Sequence, residues 1–259
     1  MASFGYQILG FGSGSTGAAG PFEFAISSNT TNANLRTLAV NAGWNESDPV
    51  TATVNSGVYV YSTGTGTPGL TVDGTWPGGV ALVNNGFIVS RGGNGGTGGS
   101  GTSNGSGGGT GGVGLTVSVA LTLDNQGTIG GGGGGGGGSG SYRSTEGTNE
   151  RGSGGGGGAS FGGGGSAGSG PNSQTGSGGN AGSLTGAGSG GQVGNPWNPQ
   201  QKGGAGGGWG ASGSSGSAGW PGDGGGVGSG GSGGSAGAAI SGNSNITYTT
   251  TGTRLGSIG

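Results

Sequence analysis

The sequence contains no cysteine and no histidine. The first absence rules out disulfide staples, and the two together remove the usual nucleophile–histidine triads and most zinc sites. Charge is scarce as well: 5% of the 259 residues are Asp, Glu, Lys or Arg, and the formal net charge is -2. No basic patch exists to neutralise phosphates, so nucleic acid is not an expected partner. The opening stretch MASFGYQILGFGSG has no Lys or Arg, the first being Arg36, and does not read as a secretory signal peptide. No apolar run approaches the roughly 20 residues that span a bilayer. Proline, at 8 residues beside 85 glycines, is far too rare for collagen.

What is abundant is glycine, and its distribution divides the chain. Residues 1–90 have ordinary globular content; from Arg91 onward Gly and Ser dominate. The division predicts a β-rich domain over 1–90 and a glycine-rich domain over 91–259. In the first part, NANLRTLAVNAGW predicts a short helix. Asn32 is its expected N-cap, Leu35, Leu38, Ala39 and Ala42 share one face, and Gly43 is its stop. Strand patterns follow at Val50, Ala52 and Val54, at 58–61, 70–72 and 80–89, separated by turn residues. A repeat crosses the boundary: VALVNNGFIVSRGG (80–93) resembles ALTLDNQGTIGGGG (120–133), and AAISGNSNITYT (238–249) reads as a weaker third copy. Twice, then, a strand pair leads straight into glycine.

The glycine runs carry a period of three. From Arg91 the chain reads RGG, NGG, TGG, SGT; positions 204, 207, 210, 213, 216 and 219 are all Gly, as are 222, 225, 228, 231, 234 and 237. Ser229, Ser232, Ser235 and Ala238 fill a second row. Three residues per turn is the signature of a polyproline-II-type helix, which makes no hydrogen bonds within itself. Buried peptide groups must still be paired, so such helices are expected to bond to one another, with Cα–H···O contacts between them. The expectation covers the stretches near 92–101, 130–138, 152–169, 176–192, 203–219 and 222–239. Gly130–Gly138, nine glycines without interruption, is the expected centre, surrounded on all sides. The competing reading is a flexible Gly/Ser linker.

No enzyme is visible, and no cofactor, metal or catalytic residue is expected. Matches to G-x-G-x-x-G carry no information at this glycine content. Glu146 and Glu150 are a conceivable carboxylate pair, but Arg143 and Arg151 in the same short loop make solvated ion pairing the simpler account. The informative stretches are polar and aromatic islands between the runs: 141–151, 171–175, 193–202 and 219–223. Rigid aromatics flanked by adaptable polar groups are what binding loops favour. The candidate binding residues are Tyr142, Arg143, Glu146, Arg151, Asn195, Trp197, Asn198, Gln200 and Trp220. Trp209, inside a triplet register, is expected to cover the end of a rod. For Trp197, binding and capping both remain open.

The RGGNGG run, the NNGFIV lead-in and GTIGGGGGGGGG, with NANLRTLAVNAGWN and the closing AISGNSNITY and GTRLGSIG, resemble the glycine-rich distal tail-fibre adhesins of tailed bacteriophages of the T-even-like kind. That resemblance implies a layered sandwich of polyglycine II helices whose loops bind a bacterial surface receptor, either a membrane protein or a glycan. It implies a virion protein of the tail tip, docked to a tail or fibre protein through its N-terminal region. The family's fibre-attachment region is not recognisable here; FGYQILGFG (4–12) serves as an attachment segment or an ordinary first strand. One copy and a homotrimer both fit. The expected fold is mainly β and irregular, with one short helix. The rival functions are an ice-binding protein, disfavoured by the mixed row Arg91, Asn94, Thr97, Ser100, and a glycine-rich structural protein, which has no need of aromatic islands.

Overall fold

The computed structural model describes residues 20–142, 152–168, 176–193, 201–219 and 226–259. It is mainly β, with one α-helix. The strands are β1 (Phe22–Ile26), β2 (Thr30–Thr31), β3 (Ala33–Asn34), β4 (Val50–Val54), β5 (Tyr59–Tyr61), β6 (Leu70–Val72), β7 (Val80–Asn84), β8 (Phe87–Val89), β9 (Leu115–Val117), β10 (Leu121–Asn125), β11 (Thr128–Gly130), β12 (Ile240–Ser241), β13 (Ile246–Thr250) and β14 (Thr253–Leu255). Helix α1 (Leu35–Asn41) lies between β3 and β4.

Among the described residues every strand pair is parallel. The sheet orders are β1-β4-β7-β10-β13, β2-β5-β8-β11-β14 and β3-β6-β9-β12. The chain therefore visits one sheet, then the second, then the third, and steps to the next level: a three-sided parallel β-coil. Alternation along each strand sends one set of side chains inward, and parallel register stacks like positions into columns. Ala52 pairs with Leu82 and Leu82 with Leu123, all fully buried. Val60, Ile88 and Ile129 form the equivalent column of the second sheet, and Leu70, Leu115 and Ile240 that of the third.

A polar column runs beside them. Asn84 Nδ2 donates to Asn125 Oδ1 at 2.7 Å, and Asn125 Nδ2 donates to the Thr251 carbonyl at 2.8 Å, with both asparagines buried. These residues stand where the first sheet turns into the second. At the same corner a Cβ on Gly127 would lie 2.1 Å from the Gly86 carbonyl oxygen, so the turn needs glycine.

The sheets draw strands from both sides of residue 90. The repeat read at 238–249 is displaced by pairing: Ile246–Thr250 lies beside β10, so the matching level runs from Ile246 through Thr253–Leu255. The helix cap also differs from expectation. Asn34, not Asn32, accepts from the Thr37 amide at 3.0 Å, while Asn32 adopts φ 50 and is tied to Thr63 through its side chain. Gly43 takes the expected positive φ, at 102°. Leu35 and Ala39 face the core, Leu38 packs against it, and Ala42 is exposed.

The glycine-rich chain is inserted between the second and third sheets at two successive levels. After β8, residues 91–100 run outward and 103–114 return to β9; after β11, residues 131–239 leave and return to β12. These stretches are extended, and backbone bonds join them in steps of three. Gly93, Gly96 and Gly99 donate to Gly133, Gly136 and Ser139. Within 131–141 the three residues of each triplet serve different neighbours. Gly132, Gly135, Gly138 and Ser141 donate to residues 112, 109, 106 and 103; Gly133, Gly136 and Ser139 donate to 159, 156 and 153; Gly134, Gly137 and Gly140 donate to 211, 214 and 217. Residues 130–142 are all buried.

Two features were not expected from the runs. Residues 152–159 form a second surrounded segment, donating to 93–99, 177–180 and 204–207. The runs 152–169, 176–192 and 203–219 each fold back midway. The turns fall at Ser160 and Phe161, both at positive φ, at Ser183–Gly186, and at Gly210.

Candidate functional site

The inserted segments have two ends of different character. At the near end, turns meet the outer face of the second sheet. Tyr59 stacks on Phe87 with ring centroids 4.4 Å apart, Trp209 leans on both, and Phe161 lies 5.8 Å from Tyr61. Alternation puts Val60 and Ile88 in the core and so turns Tyr59, Tyr61 and Phe87 outward. Trp209 Nε1 donates to Ser160 Oγ and to the Leu184 carbonyl, both at 3.0 Å, and its Cβ stands over Gly130. Trp209 thus covers the start of the central segment, as its register predicts.

At the far end, four stretches leave the described residues: 143–151, 169–175, 194–200 and 220–225. They contain most of the islands. The residues that flank them are bound to one another. Tyr142 bridges Val227, Gly176 bridges Val193, and Gln192 bridges Lys202, all antiparallel. Gly168 donates to Gly152, Gly152 to Gly99, Gly219 to Gly228, and Gly228 to Ser141. Gln201 is buried, and its Nε2 reaches the Gly140 carbonyl at 2.6 Å, tying one root to the end of the central segment. The turn at Ser100–Ser103 lies at the same end, because Ser103 accepts from Ser141. The residues flanking all four stretches are therefore joined in one hydrogen-bonded platform.

Of the candidate receptor-binding residues, Tyr142 is described: it is 7% exposed at its bridge to Val227. Arg143, Glu146, Arg151, Asn195, Trp197, Asn198, Gln200 and Trp220 lie outside the described residues, as does the segment 4–12. The root residues Ser177 and Gln192 did not stand out in the sequence, and Gln201 and Lys202 lay in the island 193–202 without being among the candidate residues. Their signal is the place where the triplet register ends.

Among the described residues there is no group of three or more acidic residues placed to hold a metal ion. No helix among them is long and apolar enough to cross a membrane.

The family model for the phage tail fibre adhesin Gp38 matches residues 21–259. The chain is similar to the crystal structure of the gp37-gp38 adhesin tip complex of the bacteriophage S16 long tail fibre. That match has a TM-score of 0.63 and 26% identity, and covers 92% of this chain and 82% of that chain. No curated protein matches significantly. With nearly its whole length matched, the chain belongs to the Gp38 phage tail fibre adhesin family, and it is a receptor-recognising protein of the virion's tail tip.

Proposed function

We propose that this protein recognises its receptor through the stretches 143–151, 169–175, 194–200 and 220–225. In this reading they are displayed on a layered bundle of polyglycine II helices. The observation that carries it is the gathering of all four roots at the end of the bundle away from the sheets. The triplet hydrogen bonding supports the polyglycine II assignment, because that helix repeats every three residues and bonds only to its neighbours.

Arg143, Glu146, Arg151, Asn195, Trp197, Asn198, Gln200 and Trp220 make the contacts, and Tyr142 fixes the root of the first loop. The receptor is an outer-membrane protein or a glycan, and the adhesin acts by binding, without catalysis. Residues 1–90 provide the attachment to the fibre and the inserted part of 91–259 the recognition, a division of roles within one β-coil. The partner of the S16 protein, gp37, supports a fibre protein as the attachment point.

Exchanging 143–151 and 194–200 with the corresponding stretches of a related adhesin tests the reading. Host range, scored by adsorption to a bacterial panel, should follow the exchanged stretches. Host range that stays with the scaffold contradicts it.

A further inference from the structure

Beside the loop roots, the flank of the bundle carries an open groove of about 430 Å³. That volume falls within the roughly 300–1,000 Å³ typical of ligand sites. Its floor is the segment Lys202–Ala205, and its walls are the neighbouring segments at Ser189–Gln192 and Ser214–Ser217. The frame is fixed by backbone bonds: Gly203 donates to Gly191 at 2.9 Å, Ser214 to Ala205 at 2.8 Å, and Ser217 to Lys202 at 3.0 Å. Its three segments are in close backbone contact, since a Cβ on Gly190 or Gly204 would lie 1.9 Å from the Gly203 or Ser214 carbonyl oxygen.

Glycine and serine dominate the lining, and Ala205 is its single apolar side chain. The hydroxyls of Ser214 and Ser215 and the Ala205 amide have no hydrogen-bond partner among the described residues. Lys202 is the one lysine of the chain. It forms no ion pair among the described residues, and none of those within 131–239 is a carboxylate.

We propose that this groove is a binding subsite for an acidic oligosaccharide of the host surface, with the Lys202 ammonium meeting the anionic group. The serine hydroxyls, Gln192 and the free peptide group meet the sugar hydroxyls. A protein ligand fits less well, because protein hot spots are aromatic or aliphatic anchors in apolar pockets, and the groove has none. Preorganisation favours the weak individual bonds a sugar makes, since little order is lost on binding. The position of Lys202, bridged to Gln192 at the loop roots, makes the subsite continuous with the recognition end. The proposal rests on the adhesin reading and extends it.

Calorimetric titration of the full chain tests it with three probes: phosphorylated lipopolysaccharide core oligosaccharide, the same oligosaccharide dephosphorylated, and oligogalacturonate. The wild type should bind at least one acidic probe tenfold or more tightly than the dephosphorylated one. Which acidic probe binds distinguishes phosphate from carboxylate. Lys202→Gln should weaken that binding about tenfold, and Ala205→Trp or Ser215→Tyr, both at exposed positions, should abolish it by filling the groove. Unchanged melting temperatures establish that the variants are folded. Binding of neither acidic probe, equal binding of the dephosphorylated one, or binding that survives both filling variants overturns the proposal. Normal adsorption of the protein to cells alongside such a result confines the failure to the groove. Loss of all adsorption by the wild type contradicts the adhesin reading itself.

Discussion

Glycine in the buried segments of this molecule marks a place where another carbonyl occupies the position a side chain would take. A Cβ on Gly134 would lie 2.0 Å from the Gly234 oxygen, and those on Gly133 and Gly135 meet carbonyls at 2.0 and 1.9 Å. Gly107, on the surface, meets nothing nearer than 3.5 Å. Overpacking costs about 1–3 kcal/mol and more where no neighbour can yield, whereas alanine in an unstrained position stabilises by about 0.4–1 kcal/mol through the unfolded chain. Gly134→Ala should therefore lower stability by about 3 kcal/mol and Gly107→Ala should leave it equal or raised, as read from denaturant midpoints. Equal losses at the two sites would mean the central segment is not packed as described. Serine and asparagine have a matching task at the bundle edge. Asn94 Oδ1 accepts from the Gly163 amide at 2.8 Å, Asn104 Oδ1 from Ser229 at 2.7 Å, and Ser212 Oγ from Ala236 at 3.3 Å. Each side chain stands in for a missing neighbour by pairing an outward amide. The all-glycine row was legible: Gly228, Gly231, Gly234 and Gly237 face the central segment, and the outer row Ser229, Ser232 and Ser235 offers carbonyls to Gly105, Gly108 and Gly111.

Among the elements, the junction between coil and bundle concentrates the aromatic contacts. Trp209 unites a turn of the inserted chain with Tyr59 and Phe87 of the second sheet and makes two hydrogen bonds. Phe or Trp to Ala at packed sites costs about 3–5 kcal/mol. Because Trp209 is partly exposed, Trp209→Ala should cost about 2–3 kcal/mol and lower the melting temperature, while adsorption of the folded protein at low temperature is kept. Lost adsorption without early melting would make Trp209 a contact residue. The strands themselves were readable, since Val50, Ala52 and Val54 alternate and are buried as expected. The coil was not. Strands of the first sheet begin at residues 22, 50, 80, 121 and 246, so insertions of unequal length hide the repeat. Register is set by contacts in space, and nothing in AAISGNSNITYT shows that Ile246 sits beside Leu121. The helix cap slipped by two residues for a similar reason: Asn32 and Asn34 are both capable caps, and the pairing of β3 with β6 decides between them.

For the whole molecule, the architecture is a β-coil with a hydrogen-bonded insertion. The chain leaves the coil at one side, bonds to itself in triplets, and joins the residues flanking the four undescribed stretches at the far end. Islands between glycine runs could be found from composition, because large residues are excluded wherever backbones touch. Their meeting at one platform could not, since the fold-back turns at Ser160, Ser183–Gly186 and Gly210 fall inside runs that read as continuous. In the proposed reading, folding and recognition reside in different residues. Its most direct measurement pairs host adsorption with thermal melting for a protein carrying Arg143→Ala, Trp197→Ala and Trp220→Ala together. Truncating interface hot spots commonly costs about 2 kcal/mol or more each, about thirtyfold in affinity, while substitutions away from packed features stay within about 0.5 kcal/mol in stability. The account predicts adsorption abolished at an almost unchanged melting temperature; early melting with normal adsorption of the folded fraction would contradict it.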